Sequence, residues 1–260
     1  MNYETIILEK SNSIAKLTFN RPDVLNAYNR MVSDELIDVI KLLATDDSIR
    51  IIIITGAGKA FMAGADINMV NEWTAQGDIV KNRKTLEKMF NPNMLEDCPK
   101  PVIAVVNGLA FGMGCEIAMA CDFRIASEKA KFALPEIKIG VVPGGGGSQR
   151  MLHLVGETRA LEMIATGDPI DANEAYRIGL VNRVAKADNL WPEVEAFVDR
   201  LISKSRTGLN VCKNLIYKGG NLSPRQGIEY ERDQFCEILL TQDAKEGTLA
   251  FLEKRKPKFS

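Results

Sequence analysis

The chain has 260 residues, 33 Lys and Arg against 34 Asp and Glu, one His and 46% hydrophobic residues, enough ordinary globular sequence to bury a core without disulfide or metal staples. A net charge of −1 offers no electrostatic reason for a nucleic-acid partner. A single His and five cysteines without a CxxC pair exclude a His-rich or thiolate-rich metal site, so acid–base chemistry falls to carboxylates.

The opening MNYETIILEK lacks a basic region followed by an apolar core, and no apolar run approaches the roughly 18 residues of a membrane span. Neither export nor membrane insertion is expected. The odd, scattered cysteines, Cys98, Cys115, Cys121, Cys212 and Cys236, read as reduced, buried thiols of a cytoplasmic protein. Apolar alternations at Thr5–Leu8 and Ile14–Phe19 flank the polar Lys10-Ser11-Asn12-Ser13 and predict a hairpin. Met31–Leu43 carries apolar residues at helical spacing and stops at Thr45-Asp46-Asp47-Ser48. Ile49–Thr55 and Val102–Val106 are continuous apolar runs, as in strands covered on both faces, and Phe123–Ala126 is a weaker third. Strand and helix signals alternate to about residue 150, which predicts an α/β core. From Ser148 the periodicity is mainly helical, through Met151–Val155, Ala160–Ala165, Val194–Ile202, Leu209–Leu215, Ile228–Leu240 and Ala244–Phe251. The expected organisation is a core over 1–195 and a helical region over 196–260 that packs against a neighbouring subunit.

Two glycine-bearing segments fail the phosphate-binding templates. Thr55-Gly56-Ala57-Gly58-Lys59 has Phe61 where a dinucleotide fingerprint needs its third glycine, and Pro143-Gly144-Gly145-Gly146-Gly147-Ser148 has no Lys-Ser/Thr pair. The second is either a turn before a helix or a backbone that comes close to something. AFMAGADINM (60–69) and NGLAFGMGCEIAMACD (107–122) lie just beyond strands, where open α/β sheets bind ligands. Small residues at Ala63, Gly64, Ala65, Gly112 and Gly114 permit backbone N–H groups to reach an oxygen that gains charge during reaction, or simply permit close packing. Glu116 and Glu136 each stand among apolar neighbours, where burial disfavours the charged form and tunes a carboxyl towards proton exchange near neutral pH. Ser148 and His153 lie close in sequence, but no GxSxG elbow surrounds the serine.

Five blocks, NRPDVLNAYNR (20–30), ITGAGKAFMAGADI (54–67), PVIAVVNGLAFGMGCEIAMACD (101–122), PEIKIGVVPGGGGSQR (135–150) and AFLEKRKPKF (250–259), together resemble an enoyl-CoA hydratase of the crotonase superfamily over essentially the whole chain. The resemblance implies a spiral core of repeated ββα units with a helical C-terminal oligomerisation region, assembled as a trimer or a dimer of trimers. It implies an acyl-CoA thioester as substrate, with no separate cofactor and no metal. The backbone N–H groups of Ala65 and Met113 would bind the thioester oxygen, and Ala63, Asp66, Ile67 and Asn68 would line the substrate. Glu116 would act as base towards water, Glu136 would deliver a proton to C2, and Gly144 would help to position the water or a Glu side chain. Phe251 and Lys254 would reach the CoA nucleotide of a neighbouring subunit, giving the basic run Lys254-Arg255-Lys256 a phosphate partner in place of its reading as a solvated helix end.

Met113 stands where many members have glycine, which the backbone donor tolerates while the side chain reshapes the acyl pocket. Leu134 replaces a common Gln two residues before Glu136, which predicts more apolar surroundings for that carboxyl. Isomerisation of an enoyl-CoA needs only a carboxylate at the Glu136 position, so Glu116 favours hydration. A non-catalytic or RNA-binding member of the same fold is disfavoured by the balanced charge and the two glutamates.

Overall fold

A computed structural model describes residues 3–259. The chain divides into two compact units, one formed by Val102–Val194 with the chain up to Cys98, the other by Pro99–Pro101 with the chain from Glu195.

The first unit opens with β1 (Ile6–Ser11) and β2 (Ile14–Phe19), then α1 (Arg30–Thr45), β3 (Ile51–Gly56), β4 (Ala60–Met62), α2 (Ile67–Gln76), α3 (Ile79–Glu87) and α4 (Asn93–Asp97). It continues through β5 (Val102–Val106), β6 (Leu109–Phe111), α5 (Met113–Ala120), β7 (Phe123–Ser127), β8 (Lys131–Ala133) and a 3-10 turn over Pro135–Ile139. Then come α6 (Gly147–Val155), α7 (Glu157–Thr166), β9 (Ile170–Asp171), α8 (Ala172–Arg177), β10 (Arg183–Ala185) and α9 (Leu190–Ile202), whose last turns belong to the second unit with α10 (Arg206–Tyr217), α11 (Pro224–Ile238) and α12 (Gln242–Leu252).

One sheet has the order β1-β2-β3-β5-β7-β10, all parallel except the β1–β2 hairpin. The other has the order β4-β6-β8-β9, with β4, β6 and β8 parallel. The path repeats as long strand, short strand, helix: β3-β4-α2, then β5-β6-α5, then β7-β8 with its 3-10 turn and α6. This is the spiral of ββα units that the resemblance implies.

The two apolar runs form β3 and β5, in which every residue but Gly56 is buried, as strands covered on both faces require. The short strands of the second sheet were not predicted, because three residues are too few to show a period. They correct the expectation about the ligand loops, which follow β4 and β6 of the second sheet and not the long strands directly. The region after Ser148 is also interrupted by two short strands, β9 and β10. Cys98, Cys115 and Cys121 are buried and Cys212 and Cys236 exposed, the last two against expectation, and none of these described cysteines is in a disulfide. Amphipathic spacing on α10 and α11 carries these two on faces turned outward.

Asn26 joins the first hairpin to the site. It is 1% exposed in a left-handed conformation with φ 59°, and its Nδ2 donates to the carbonyls of Ala57, Ala60 and Phe61 at 2.9, 2.8 and 3.3 Å. Its Oδ1 accepts from the Arg21 N–H at 2.9 Å. One buried amide thereby fixes the turn between β3 and β4. Asn26→Ala removes the shared donor, leaves the Ala60 carbonyl only a 3.4 Å bond from Asn107, and places a residue with little αL preference there, so the unfolding free energy should fall by about 3 kcal/mol. A urea midpoint unchanged from the parent would refute this.

Candidate active site

Two backbone turns and two carboxyl groups meet where β4 and β6 end. Beyond β4, Tyr28 forms an isolated parallel bridge with Ala65: the Tyr28 N–H donates to the Gly64 carbonyl at 2.8 Å, and the Asp66 N–H donates to the Tyr28 carbonyl at 2.7 Å. The Ala63 N–H donates to the Leu25 carbonyl at 3.0 Å. Among residues 63, 65 and 66, only the Ala65 N–H is left without an acceptor among the described residues. Ala63 therefore shapes the turn with its N–H already engaged.

Beyond β6, Gly112 has φ 50° and ψ −123° and precedes the first residue of α5, Met113, whose N–H is one of the unpaired donors of a helix amino terminus. A Cβ on Gly112 would stand 3.5 Å from the Gly64 Cα, so the two turns lie side by side. On the next residue but one, Gly114, a Cβ would meet the Met62 carbonyl at 2.0 Å. That close approach seats α5 directly on β4. The helix and the strand thus present two unengaged N–H groups, at Ala65 and Met113, from neighbouring turns.

Glu116, one turn into α5, is 2% exposed. Its Oε1 accepts from the backbone N–H groups of Gly145 at 2.7 Å and Gly147 at 2.8 Å. The glycine run is therefore a donor loop wrapped over one carboxylate oxygen. Gly144, expected to position the water or a Glu side chain, contributes neither of these two bonds, and nothing lies within 4 Å of where its Cβ would stand. The side-chain methyl of Met113 and Glu116 Oε2 both lie within 3.1 Å of the point that a Gly145 Cβ would occupy, so Met113 borders the carboxylate.

Glu136 lies in the 3-10 turn after β8, behind the fully buried Leu134. Its Oε1 would be 3.0 Å from a Cβ on Gly112, and its Oε2 is buried with no hydrogen-bond partner among the described residues. The Glu136 carboxyl is pushed up to about 7, chiefly by burial and in smaller part by the charge of Glu116, against the opposing pull of its own backbone N–H. Burial also raises Glu116, opposed by the N–H groups of Gly147 and Gly145 and by the Arg150 guanidinium. The two environments differ in kind. Glu116 is held by donors that favour its ionised form, while the burial of Glu136 favours its protonated form. The thiol of Cys115, fully buried beside them, is pushed above its usual range by burial, so it stays protonated.

Of the remaining expected residues, Asp66 caps α2 by accepting from the Asn68 N–H and lies 3.8 Å from the Arg21 guanidinium, while Ile67 is 59% exposed at the helix start. Phe251 is 84% exposed, and Lys254 turns the chain at φ 57°. The basic run is not simply solvated. Arg255 donates to both carboxylate oxygens of Glu246, at 2.6 and 2.9 Å, and to Glu253 at 2.6 Å. Asn26, Arg150 and Glu96 also shape the site and were not singled out, because each acts through a partner distant in sequence. His153 lies in α6, as expected of a helix residue. Among the described residues no three His, Cys, Asp or Glu side chains gather to hold a metal ion, and no helix is long and apolar enough to cross a membrane.

The sequence profile of the enoyl-CoA hydratase/isomerase family matches residues 9–260. A crotonyl-CoA hydratase of Syntrophomonas wolfei is 43% identical over 260 residues, covering 100% of this chain and 99% of that protein. A short-chain-enoyl-CoA hydratase of Clostridium acetobutylicum is 40% identical, covering 98% and 97%. The crystal structure of an enoyl-CoA hydratase from Bacillus anthracis superposes with a TM-score of 0.90 at 32% identity, covering 98% of this chain and 99% of that one.

Proposed function

The chain belongs to the enoyl-CoA hydratase/isomerase family, and from that membership we propose that it adds water reversibly across the C2=C3 double bond of a 2-enoyl-CoA to give a 3-hydroxyacyl-CoA. The observation that carries this reading is the unlike pair of carboxyls, Glu116 bound by two N–H groups and Glu136 with a buried unpartnered oxygen, beside two open backbone donors.

The thioester oxygen sits between the N–H groups of Ala65 and Met113. Those fixed dipoles stabilise the enolate charge as it develops and make C3 electrophilic. Glu116 Oε1 is occupied by the glycine loop, and its other oxygen takes a proton from water while the water oxygen bonds to C3. The C2=C3 electron pair moves onto the enolate. Protonated Glu136 then gives its proton to C2, and the carbonyl re-forms. The proton on Glu116 leaves and Glu136 is reprotonated before the next turnover, so the pair works with one proton between its members. Gly144 forms the open lip of the donor loop, and Ala63, Asp66, Ile67 and Asn68 border the acyl-CoA. No separate cofactor takes part, because CoA belongs to the substrate.

The assignment fixes the sign of the pH dependence. Hydration needs Glu136 protonated, so kcat/KM falls as pH rises through about 7. Dehydration starts from the same singly protonated pair with the proton on Glu116, and because the overall reaction takes up no proton its kcat/KM falls over the same range. A hydration kcat/KM that rises through this range would contradict the roles. Leu134→Gln should move both limbs down in pH by easing the desolvation of Glu136.

The unit beginning at Glu195 exposes Ile216, Phe235, Leu240 and Leu252 at 72, 61, 79 and 76%, more large apolar surface than isolated exposed side chains account for. Subunits meet through this region as a trimer or a dimer of trimers, with Phe251 and Lys254 turned to the CoA nucleotide of a neighbour. Sedimentation at micromolar concentration should give a trimer or a hexamer, and a monomer would overturn the assembly. That none of the described cysteines is in a disulfide supports a reducing, cytoplasmic setting.

A further inference from the structure

The donor loop is gripped from both sides. Glu116 Oε1 holds the N–H groups of Gly145 and Gly147, and on the opposite side the Gly145 carbonyl accepts from Arg150 Nη1 at 2.8 Å. The same guanidinium donates through Nε to Glu96 Oε1 at 2.6 Å and through Nη2 to Asn93 Oδ1. Glu96 and Asn93 both belong to α4. The Arg150 side chain is 10% exposed and that of Glu96 23%. Between the two gripped glycines, Gly146 has φ 97°, and a Cβ there would stand 2.1 Å from Nη1. The guanidinium therefore lies against the loop itself.

We propose that Arg150 is a positioning residue: a strut between α4 and the glycine loop that fixes the two N–H groups aiming Glu116 at water. The planar fork suits this task, since its donors engage three acceptors in set directions, which a lysine ammonium cannot reproduce. Its charge has a second effect, favouring the ionised form of Glu116. The other charged or titratable groups around the site are Glu136, whose carboxyl feels the charge of Glu116, the Cys115 thiol, Glu96 behind Arg150, and Arg124, which donates to the Ala118, Met119 and Cys121 carbonyls at the far end of α5. The proposal rests on Glu116 being the base towards water.

The test compares Arg150→Met, Arg150→Lys, Glu96→Gln and Glu116→Gln by kcat, KM and pH profile for crotonyl-CoA hydration, together with thermal melting. Arg150→Met should lower kcat about 100-fold with KM changed less than about threefold, because the base is misplaced while substrate binding is kept. Its acidic limb should move up in pH, since Glu116 has lost a nearby cation. Glu96→Gln should lower kcat about tenfold and move the acidic limb down, because the Arg150 charge is no longer neutralised. Arg150→Lys should restore the limb but not kcat. A folded Arg150→Met or Arg150→Lys with parental kcat overturns the proposal, as does a kcat loss in Arg150→Met accompanied only by a lower melting temperature and an unmoved limb. If Arg150→Met fails to fold, parental kcat in Glu96→Gln overturns it. Full activity in Glu116→Gln instead strikes at the assignment of the base.

Discussion

Replacing either glutamate by glutamine is expected to lower kcat for crotonyl-CoA hydration by about 1,000-fold, within the range that general acid–base groups supply. Glutamine keeps the shape of each side chain and removes only its proton chemistry. In Glu116→Gln the amide oxygen still accepts from Gly145 and Gly147, so the donor loop retains its partner. The atom facing water becomes an NH2, which cannot take a proton. In Glu136→Gln the buried, unpartnered Oε2 becomes a nitrogen or a neutral oxygen, and proton delivery to C2 ends. Melting temperatures near the parental value would separate these losses from unfolding. The double variant should be little worse than either single one, because the two groups complete one reaction. Double-bond migration at the parental rate without Glu116, with little hydration in parent or variant, would turn the reading from hydratase to isomerase.

Gly112→Ala is expected to damage both stability and catalysis. At φ 50° and ψ −123° an L side chain is strained, at a cost of about 1–3 kcal/mol. The added Cβ would also stand 3.0 Å from Glu136 Oε1 and 3.5 Å from the Gly64 Cα. Relief requires moving the acid, the Ala65 turn or the amino end of α5, and each carries part of the site. Loss of one backbone donor to a developing oxyanion costs about 100- to 1,000-fold in kcat. Gly77→Ala supplies the comparison: φ is 58° and nothing lies within 4 Å of its Cβ position, so it should lower stability by about 1 kcal/mol with kcat unchanged. Equal kinetic effects in the two variants would mean that strain alone, and not the geometry of the site, governs the loss.

The two halves of the fold differ in how far sequence reveals them. β3 and β5 are legible because strands buried on both faces leave unbroken apolar runs. β4, β6 and β8 are not, since three residues carry no period and their existence depends on pairing with one another. Glu116 and Glu136 stand out as carboxyls among apolar neighbours. Their different electrostatic settings do not, because the Gly145 and Gly147 donors come from residues 29 and 31 positions away from Glu116. The glycine run is ambiguous as sequence, and its purpose becomes visible only with the carboxylate beneath it. Asn26 and Arg150 carry no signal of their own until their partners are seen.

In the proposed mechanism the electrophilic centre is made from chain path alone, with Ala65 and Met113 lending backbone and not side chain. Natural variation or laboratory randomisation at these two positions can therefore redraw the acyl pocket while the activating groups stay as they are. Met113, bordering Glu116 with a flexible thioether, is the natural first position for a saturation library. Such a library should trade one chain length for another among its active members, a separation of substrate choice from chemical power that a side-chain oxyanion donor would not allow.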